Sequence, residues 1–351
     1  MKKENFKNGF LAIILLFSVT FSLTGCGDTE EDVNAQKSTI TALAQSQPNL
    51  SILVTALVRA GLDGTLNTNS ATSNYTVFAP TNTAFNTYLT ANNFVTAGNP
   101  DINAVPVAAL KELLLNHVLG EVKDAAALPA GDYVKTLGKG GASTANTLSM
   151  YVKKVVNGSA TTVTLNGVSN VTTPNILASN GIVHIVDAVI GLPTIVTHAK
   201  ANPNFSKLVL ALELNQTNNF IATLNTVSGA LTPYTVFAPT DGAFTSFFAE
   251  LSPPPAQPAT LGGIPPATLT KVLKYHVVTG ANALSSGLMN LQPLTTFEGS
   301  IATVQKTITG GVTTIKIKDT TPGRQACTVI IADVQCSNGV IHALDKVLLP
   351  Q

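Results

Sequence analysis

Charged residues are few in this chain of 351 residues. Lysine and arginine together number 20 and aspartate and glutamate 19, so the net charge is +1 and the charged fraction is 11%. Nucleic-acid-binding proteins carry a basic stripe or patch, whereas the basic residues here are scattered. We therefore expect no nucleic acid partner. The hydrophobic fraction of 45% is enough for domains that each build a core.

Cysteine is scarce as well, with three residues in the chain. Cys26 lies apart from Cys327 and Cys336. The sequence pattern around Cys327 and Cys336 also occurs earlier in the chain, and there the corresponding residues are Ser169 and Ala178. In an exported protein, two cysteines that flank a short strand predict a disulfide. The alternative is a pair of free buried thiols, if strand geometry holds them too far apart to bridge.

The sequence also lacks the motifs of common enzyme classes. It contains no nucleophile elbow, phosphate-binding loop, dinucleotide-binding loop or zinc-protease helix. No close histidine pair and no Cys-x-x-Cys spacing predicts a metal site. Tryptophan, the usual stacking platform for sugars, is absent. We predict a protein that is not an enzyme and that uses no metal and no cofactor.

The N-terminal region is typical of an export signal. Residues 1–25 combine early lysines with an apolar run too short for a confident membrane span. The run ends in Leu-Thr-Gly before Cys26, which resembles a bacterial lipobox and predicts lipidation of Cys26. Acyl chains there would anchor the protein by burying methylenes, at about 0.8 kcal/mol each. Residues 26–36 are polar and acidic and are predicted to be a tether.

Three sequence blocks occur twice, in the same order. Residues 76–81 read Thr-Val-Phe-Ala-Pro-Thr, and residues 235–240 repeat them letter for letter. A histidine near the end of a helical pattern recurs as His117 and His276, and an Asn-Gly-x-x-His block recurs at 180–184 and 338–342. A nearly constant offset predicts a duplicated domain, with boundaries at 37–192 and 193–351. Because almost no linker separates the copies, we expect the domains to abut.

The first block predicts a strand that is followed directly by a helix. Val77 and Phe78 favour a strand, and Pro80 cannot donate a ladder hydrogen bond, so the strand ends or lies on an edge there. Thr81 is suited to cap the helix that follows. Farther along, the segments 149–156 and 161–165 flank an Asn-Gly turn and predict a hairpin.

The repeated histidines lie among apolar neighbours. His184 and His342 occupy predicted strands, and His117 and His276 follow apolar helical faces. A histidine in such a place is most often a core residue bonded to buried backbone. Asp187 and Asp345 lie three residues after the strand histidines, on the opposite strand face, so a His-Asp catalytic pair is not expected.

The three blocks resemble those of fasciclin domains, and the resemblance covers residues 37–351. It implies an α+β fold with two tandem domains, each a wedge-shaped β-sandwich with packed helices. Such modules serve in cell adhesion and matrix contacts, usually in tandem and without enzymatic activity.

The resemblance also suggests residues for partner binding. In matrix proteins of this family, a Tyr-His block and an Asp-Ile pair are implicated in integrin contact. The second domain matches them with Tyr275-His276 and Asp333-Val334, whereas the first has Asn116-His117 and Asn175-Ile176. The competing interpretation is structural, because these positions lie at element ends and on apolar faces.

Together these observations predict a lipoprotein that acts in cell-surface adhesion or matrix binding. It would be held in the cell envelope, at the outer membrane, on the cell surface or on the periplasmic face. Its partners would be a protein or polysaccharide of the surface or matrix, and the membrane through the lipid. The alternative is an envelope protein that binds a polysaccharide or small ligand in a cleft between the domains.

Overall fold

The structure is a computed structural model of the chain. It describes residues 37–68, 74–158, 160–215, 219–250 and 260–351. The predicted signal peptide, the predicted lipidation site Cys26 and the predicted tether lie outside these residues. None of the described helices is both long enough and apolar enough to cross a lipid bilayer.

Among its described residues, the first domain has four α-helices and nine strands. The helices are α1 (Ile40–Gln45), α2 (Ser51–Arg59), α3 (Asn82–Ala91) and α4 (Val107–Leu115). The strands are β1 (Tyr75–Pro80), β2 (Val95–Thr96), β3 (Asn99–Pro100), β4 (Val118–Leu119), β5 (Asp132–Gly140), β6 (Ser143–Asn157), β7 (Ala160–Leu165), β8 (Ser169–Ala178) and β9 (Gly181–Val186).

The second domain follows a similar order, with one more α-helix before its first strand. Its helices are α5 (Ile195–Ala201), α6 (Ser206–Leu214), α7 (Phe220–Asn225), α8 (Asp241–Glu250) and α9 (Pro266–Tyr275). Its strands are β10 (Tyr234–Pro239), β11 (Val277–Thr279), β12 (Pro293–Thr295), β13 (Ile301–Thr309), β14 (Val312–Lys318), β15 (Cys327–Cys336) and β16 (Gly339–Leu344).

Each domain has one seven-stranded sheet, and the two sheets have the same topology. The strand orders are β4-β1-β9-β8-β7-β6-β5 and β11-β10-β16-β15-β14-β13-β12. In both sheets two halves join through only two residue pairs, Thr164↔Asn170 and Leu165↔Ser169 in the first domain. This narrow junction lets the halves diverge and gives the wedge. The predicted α+β fold of two tandem domains is confirmed.

The repeated hexapeptide forms the central strand of each sheet, buried on both faces. In β1, Val77 and Ala79 belong to the core beneath the helices, whereas Phe78 belongs to the core inside the curled sheet. Phe237 occupies the same place in the second domain, between sheet strands. Thr81 caps α3 as predicted, since its hydroxyl oxygen accepts a hydrogen bond of 3.2 Å from the Ala84 N–H.

The Asn-Gly block connects the last strand of each domain to its first helix. The Asn338 side-chain oxygen accepts a hydrogen bond from the Ile195 N–H at the start of α5 (3.0 Å). Its amide nitrogen donates to the carbonyls of Leu224 and Thr226, at 2.8 and 3.0 Å. Asn180 makes the equivalent bonds in the first domain. The side chain is fully buried, so it supplies partners for backbone groups that water cannot reach.

Candidate functional site

The loop that follows β4 is held by side chains from four separate parts of the first domain. Thr76, the first residue of the repeated hexapeptide, donates its hydroxyl to the Glu121 carbonyl (2.7 Å) and accepts from the Lys123 N–H (2.8 Å). Thr235 does the same for the carbonyl of Ala281 and the N–H of Ala283. In both domains the first residue of the repeated block thus holds a loop, while the block itself forms a strand.

The strand histidine His184 holds the other side of this loop. Its Nδ1 accepts from the Asn175 N–H (3.2 Å), so Nε2 carries the proton and donates to the Lys123 carbonyl (3.0 Å). The ring stacks on Phe78 with centroids 5.5 Å apart. Burial lowers the pKa of His184, and the neutral ring is the form these bonds require. His342 makes the matching bonds to Asp333 and Ala283 and stacks on Phe237.

The helix histidines are structural too. His117 follows the end of α4 and donates from Nδ1 to the Leu113 carbonyl (2.8 Å), while Nε2 accepts from the Ile190 N–H (2.9 Å). His276 makes the same pair of bonds with Val272 and Leu348. Burial lowers the pKa of both rings to about 4. The predicted core role of the four repeated histidines is confirmed.

A lysine from the sheet completes the loop site in each domain. The Lys154 ammonium donates to three loop carbonyls, those of Ala126 (2.7 Å), Leu128 (2.8 Å) and Ala125 (3.4 Å). Lys306 donates in the same way to the carbonyls of Ser285, Ser286 and Leu288. The sequence patterns did not predict this role. The available signal was a lysine at the same place in both β-hairpins.

The residues compared for receptor contact, Asn175 and Asp333, occupy equivalent positions in bulged strands. Both adopt positive φ, 64° and 60°. The Asn175 side-chain oxygen accepts from the Ala125 N–H at 2.8 Å. The Asp333 carboxylate accepts from the N–H and hydroxyl of Ser285, at 2.8 and 2.5 Å. In each domain the loop therefore supplies a donor to the side-chain oxygen at this position.

The structure corrects the predicted partner-binding set. Tyr275 is fully buried and donates its hydroxyl to the Ile301 carbonyl (2.9 Å), and His276 and Val334 are also buried. A partner cannot reach these three side chains in the folded domain. Asp333 alone of the four predicted residues reaches solvent, with 35% of its side chain exposed. The apolar faces on which these residues lie are core faces, which is the reason for the error.

The domains meet through a polar contact that is buried at Ser149 and Gln335 and open to solvent at Lys135. The Lys135 ammonium in the first domain donates to the Asp333 carbonyl oxygen in the second (2.9 Å). The Ser149 hydroxyl accepts from the Lys135 ammonium (2.9 Å) and from the Gln335 N–H (3.0 Å). Ser149 and Gln335 are both about 1% exposed. The predicted abutment of the domains is confirmed.

His198, on α5, lies in the same contact and is fully buried. Its ring packs edge-on against Tyr133 of the first domain, with centroids 5.4 Å apart. Neither ring nitrogen has a hydrogen-bond partner of normal geometry among the described residues. Burial lowers its pKa to about 3. Tyr133 and His198 thus pack together where the two domains meet.

The predicted disulfide does not form. Cys327 and Cys336 are both free and buried, at the two ends of β15. Nine residue steps along a strand span roughly 30 Å, whereas a disulfide needs Cα atoms about 4.4–6.8 Å apart. Cys327 belongs to the core inside the sheet and Cys336 to the core beneath the helices. The cysteines flank the strand without facing each other.

We predict that neither thiol reacts with iodoacetamide in the folded protein. Burial raises the pKa of Cys327 to about 12 and places the pKa of Cys336 above its ordinary range. The thiolate is the reactive form, so both groups are inert while buried. Intact mass spectrometry should show both alkylated once the protein is unfolded in denaturant without reductant. Unfolded protein that gains alkyl groups at these positions only after reduction would contradict the free thiols.

One surface groove adjoins the loop site of the first domain. It has a volume of about 590 Å³ and lies between the loop, the β6–β7 hairpin and the bulged strand β8. Asn175 and Lys154 both line it. Within the described residues, no cluster of three or more histidine, cysteine or acidic side chains is placed to hold a metal ion.

Fold and site together define a class of protein: a tandem α+β module whose repeated polar residues hold loops against a curled sheet. The family model described as Fasciclin domain matches residues 48–193 and 203–350. The chain belongs to the fasciclin domain family. The predicted domain boundaries, 37–192 and 193–351, stay predictions.

Comparison with known proteins gives relatives of several kinds. The Synechocystis protein sll1483 is 35% identical over 157 residues, which are 45% of this chain and 73% of that protein. Fasciclin-1 of Schistocerca americana is 24% identical over 289 residues, 79% of this chain and 39% of that protein. Among solved structures, a FAS1 domain pair from the insect cell adhesion molecule Fasciclin I covers 86% of this chain and 97% of that chain. Its TM-score is 0.51 at 19% identity, a likeness of fold.

Proposed function

We propose that this protein is a non-enzymatic adhesion or matrix-binding module, anchored by lipid at Cys26 in the bacterial cell envelope. The observation that carries the proposal is the partly buried polar contact between the domains. Lys135 and Ser149 of one domain bond to the Asp333 and Gln335 backbone of the other. A pair joined in this way presents both domains in one orientation, so that weak contacts on each add through avidity.

Family and chemistry support the same proposal. One solved relative in fold is described as a cell adhesion molecule. The four repeated histidines are the residues best suited to acid–base catalysis. In each of them both ring nitrogens are hydrogen-bonded to backbone groups. The lipobox-like residues before Cys26 support attachment to the outer membrane. Partners would be proteins or polysaccharides of a cell surface or matrix.

A Cys26→Ser variant tests the anchor and the adhesive role together. Acyl chains cannot be attached to serine through a thioether, so we expect the variant to leave the membrane fraction and the cells to lose adhesion to matrix-coated surfaces. Cys327→Ala is the matched control, because it removes a buried thiol far from the export signal and should keep the protein on the membrane. Protease treatment of intact cells would show whether the anchored protein faces outward.

Two outcomes would count against the proposal. An unchanged membrane fraction for Cys26→Ser would refute lipidation. The adhesive role would be refuted if the parent protein is exposed on the cell surface and cells that carry it adhere no better than cells that lack it.

A further inference from the structure

We propose that the groove between β7 and β8 binds an extended, acidic peptide segment of a partner protein, which adds a strand to the free edge of β7. This inference deepens the proposed function, on which it rests, by naming the kind of partner and the place of contact. It rests on three features of the groove: an unpaired strand edge, a fixed opening and an unbalanced positive charge.

The strand edge is free over the first four of the six residues of β7. On one side β7 pairs with β6 along its whole length, from Asn157↔Ala160 to Val152↔Leu165. On the other side it pairs with β8 only at Thr164 and Leu165. Over residues 160–163, every second residue therefore directs its N–H and C=O into the groove, where no described strand meets them. Such an edge is a template for an added strand.

The sequence of β8 accounts for the opening between β7 and β8. The register of β8 against β9 shifts twice, between Val171 and Thr173 and again between Thr173 and Ile176. Pro174 has no N–H to donate, and Asn175 has φ of 64°. Bulges and proline turn a strand away from its neighbour, so β8 diverges from β7 at this point. The gap therefore follows from local backbone chemistry and does not depend on loose packing.

The size and lining of the groove suit a short peptide. Its volume of about 590 Å³ is in the range of roughly 300–1,000 Å³ for ligand pockets. The lining alternates apolar and small polar side chains; it includes Val156, Val163, Val171, Thr161 and Thr172. An added strand would place every second side chain against this surface while its main chain bonds to β7.

The charge of the groove selects for an acidic segment. Lys154 is the one charged residue that lines it. Residues 143–165, which form the β6–β7 hairpin, include Lys153 and Lys154 and no aspartate or glutamate. The Lys154 ammonium is bonded to carbonyl oxygens, and no carboxylate of the described chain lies within salt-bridge distance of it. A carboxylate on the peptide would complement this charge.

The second domain provides an internal comparison. Its sheet opens at the same place, because β14 pairs with β15 only through Lys316↔Thr328 and Ile317↔Cys327. There, however, Asp333 replaces Asn175. A carboxylate at this position repels an acidic peptide, so we assign binding to the first domain.

An Asn175→Asp variant tests the proposal with one change of charge. Aspartate keeps an acceptor for the Ala125 N–H, as Asp333 does for Ser285, so the loop retains its hydrogen bond. The probe is a fluorescent eight-residue peptide of alternating valine and glutamate, titrated into the full-length protein. We expect binding to one site, weakened on the order of tenfold in Asn175→Asp by the added repulsion. Asp333→Asn should raise the stoichiometry from one peptide to two.

Hydrogen exchange locates the contact. Bound peptide should slow exchange of amides within residues 161–163, and a peptide N-methylated along one edge should neither bind nor protect them. The proposal is overturned by absence of binding at millimolar peptide, by equal binding of a valine–lysine peptide, by Asn175→Asp binding as the parent does, or by free glutamate competing as well as the peptide. These measurements in solution do not involve the anchor, so their failure is distinct from failure of the adhesion assay.

Discussion

Replacing Gly339 with alanine is expected to prevent the second domain from folding normally. Gly339 begins β16, which lies parallel to β10 over six residue pairs, from Tyr234↔Gly339 to Pro239↔Leu344. A Cβ atom at Gly339 would lie 2.1 Å from the Tyr234 carbonyl oxygen. The atoms that the Cβ would meet belong to the Tyr234 backbone and not to a flexible side chain, so the central strand pair must separate. We expect a loss of about 4 kcal/mol or more in the free energy of unfolding.

The first domain offers a replicate and a control. A Cβ atom at Gly181 would lie 2.1 Å from the Tyr75 carbonyl oxygen, so Gly181→Ala should be equally disruptive. Gly64 has φ of −62° and open space where a Cβ would lie. Gly64→Ala should therefore be neutral or stabilise by about 0.5 kcal/mol, because alanine restricts the unfolded chain. Urea denaturation followed by circular dichroism measures all three. A Gly339→Ala protein within 1 kcal/mol of the parent would refute the steric argument.

Acidification from pH 7 to pH 4 is expected to lower the free energy of unfolding by about 3 kcal/mol for each of His117 and His276. Burial lowers the folded-state pKa of each ring to about 4, below the ordinary value of 6.5. Between those pH values the unfolded chain binds protons that the folded protein does not. Stability from these two groups is therefore complete above pH 6.5 and is lost as the pH falls toward 4.

A histidine variant separates this effect from that of the carboxylates. Glutamine at position 276 keeps one donor and one acceptor but has no titratable ring. His276→Gln should be less stable than the parent at pH 7, and its stability should fall by about 3 kcal/mol less between pH 7 and pH 4. The check is a series of urea denaturation curves from pH 8 to pH 4. Identical pH dependence in the two proteins would show that His276 is not buried neutral.

The hydrogen bonds explain why the sequence blocks take the form they do. The Asn-Gly pair combines a side chain that serves buried backbone with a residue small enough for strand contact, as at Asn338 and Gly339. The Thr-Val-Phe block combines a loop-binding hydroxyl with side chains for two cores, as at Thr76 and Phe78. Each block therefore encodes contacts on more than one side of its strand. Such multiple demands limit substitution at these positions.

Two predictions failed for a common reason. The positions of Cys327 and Cys336 on either side of a short strand predicted a disulfide. The two residues lie at opposite ends of that strand, too far apart to form one. Family resemblance predicted a binding surface at Tyr275 and Val334, but both side chains face a core. A linear pattern identifies residues that matter to a fold without stating which neighbours surround them.

The sequence by itself determined the duplication, the strand-to-helix hexapeptide and the core role of the histidines, because spacing, backbone preference and apolar context are local properties. The α+β class was implied by the resemblance of the sequence blocks to those of fasciclin domains. Only the tertiary structure decided that Lys154 holds a loop, that Lys135 and Ser149 join the domains, and that β7 has an open edge. Those contacts join residues remote along the chain, and whether a polar group finds a partner depends on packing that no single segment specifies.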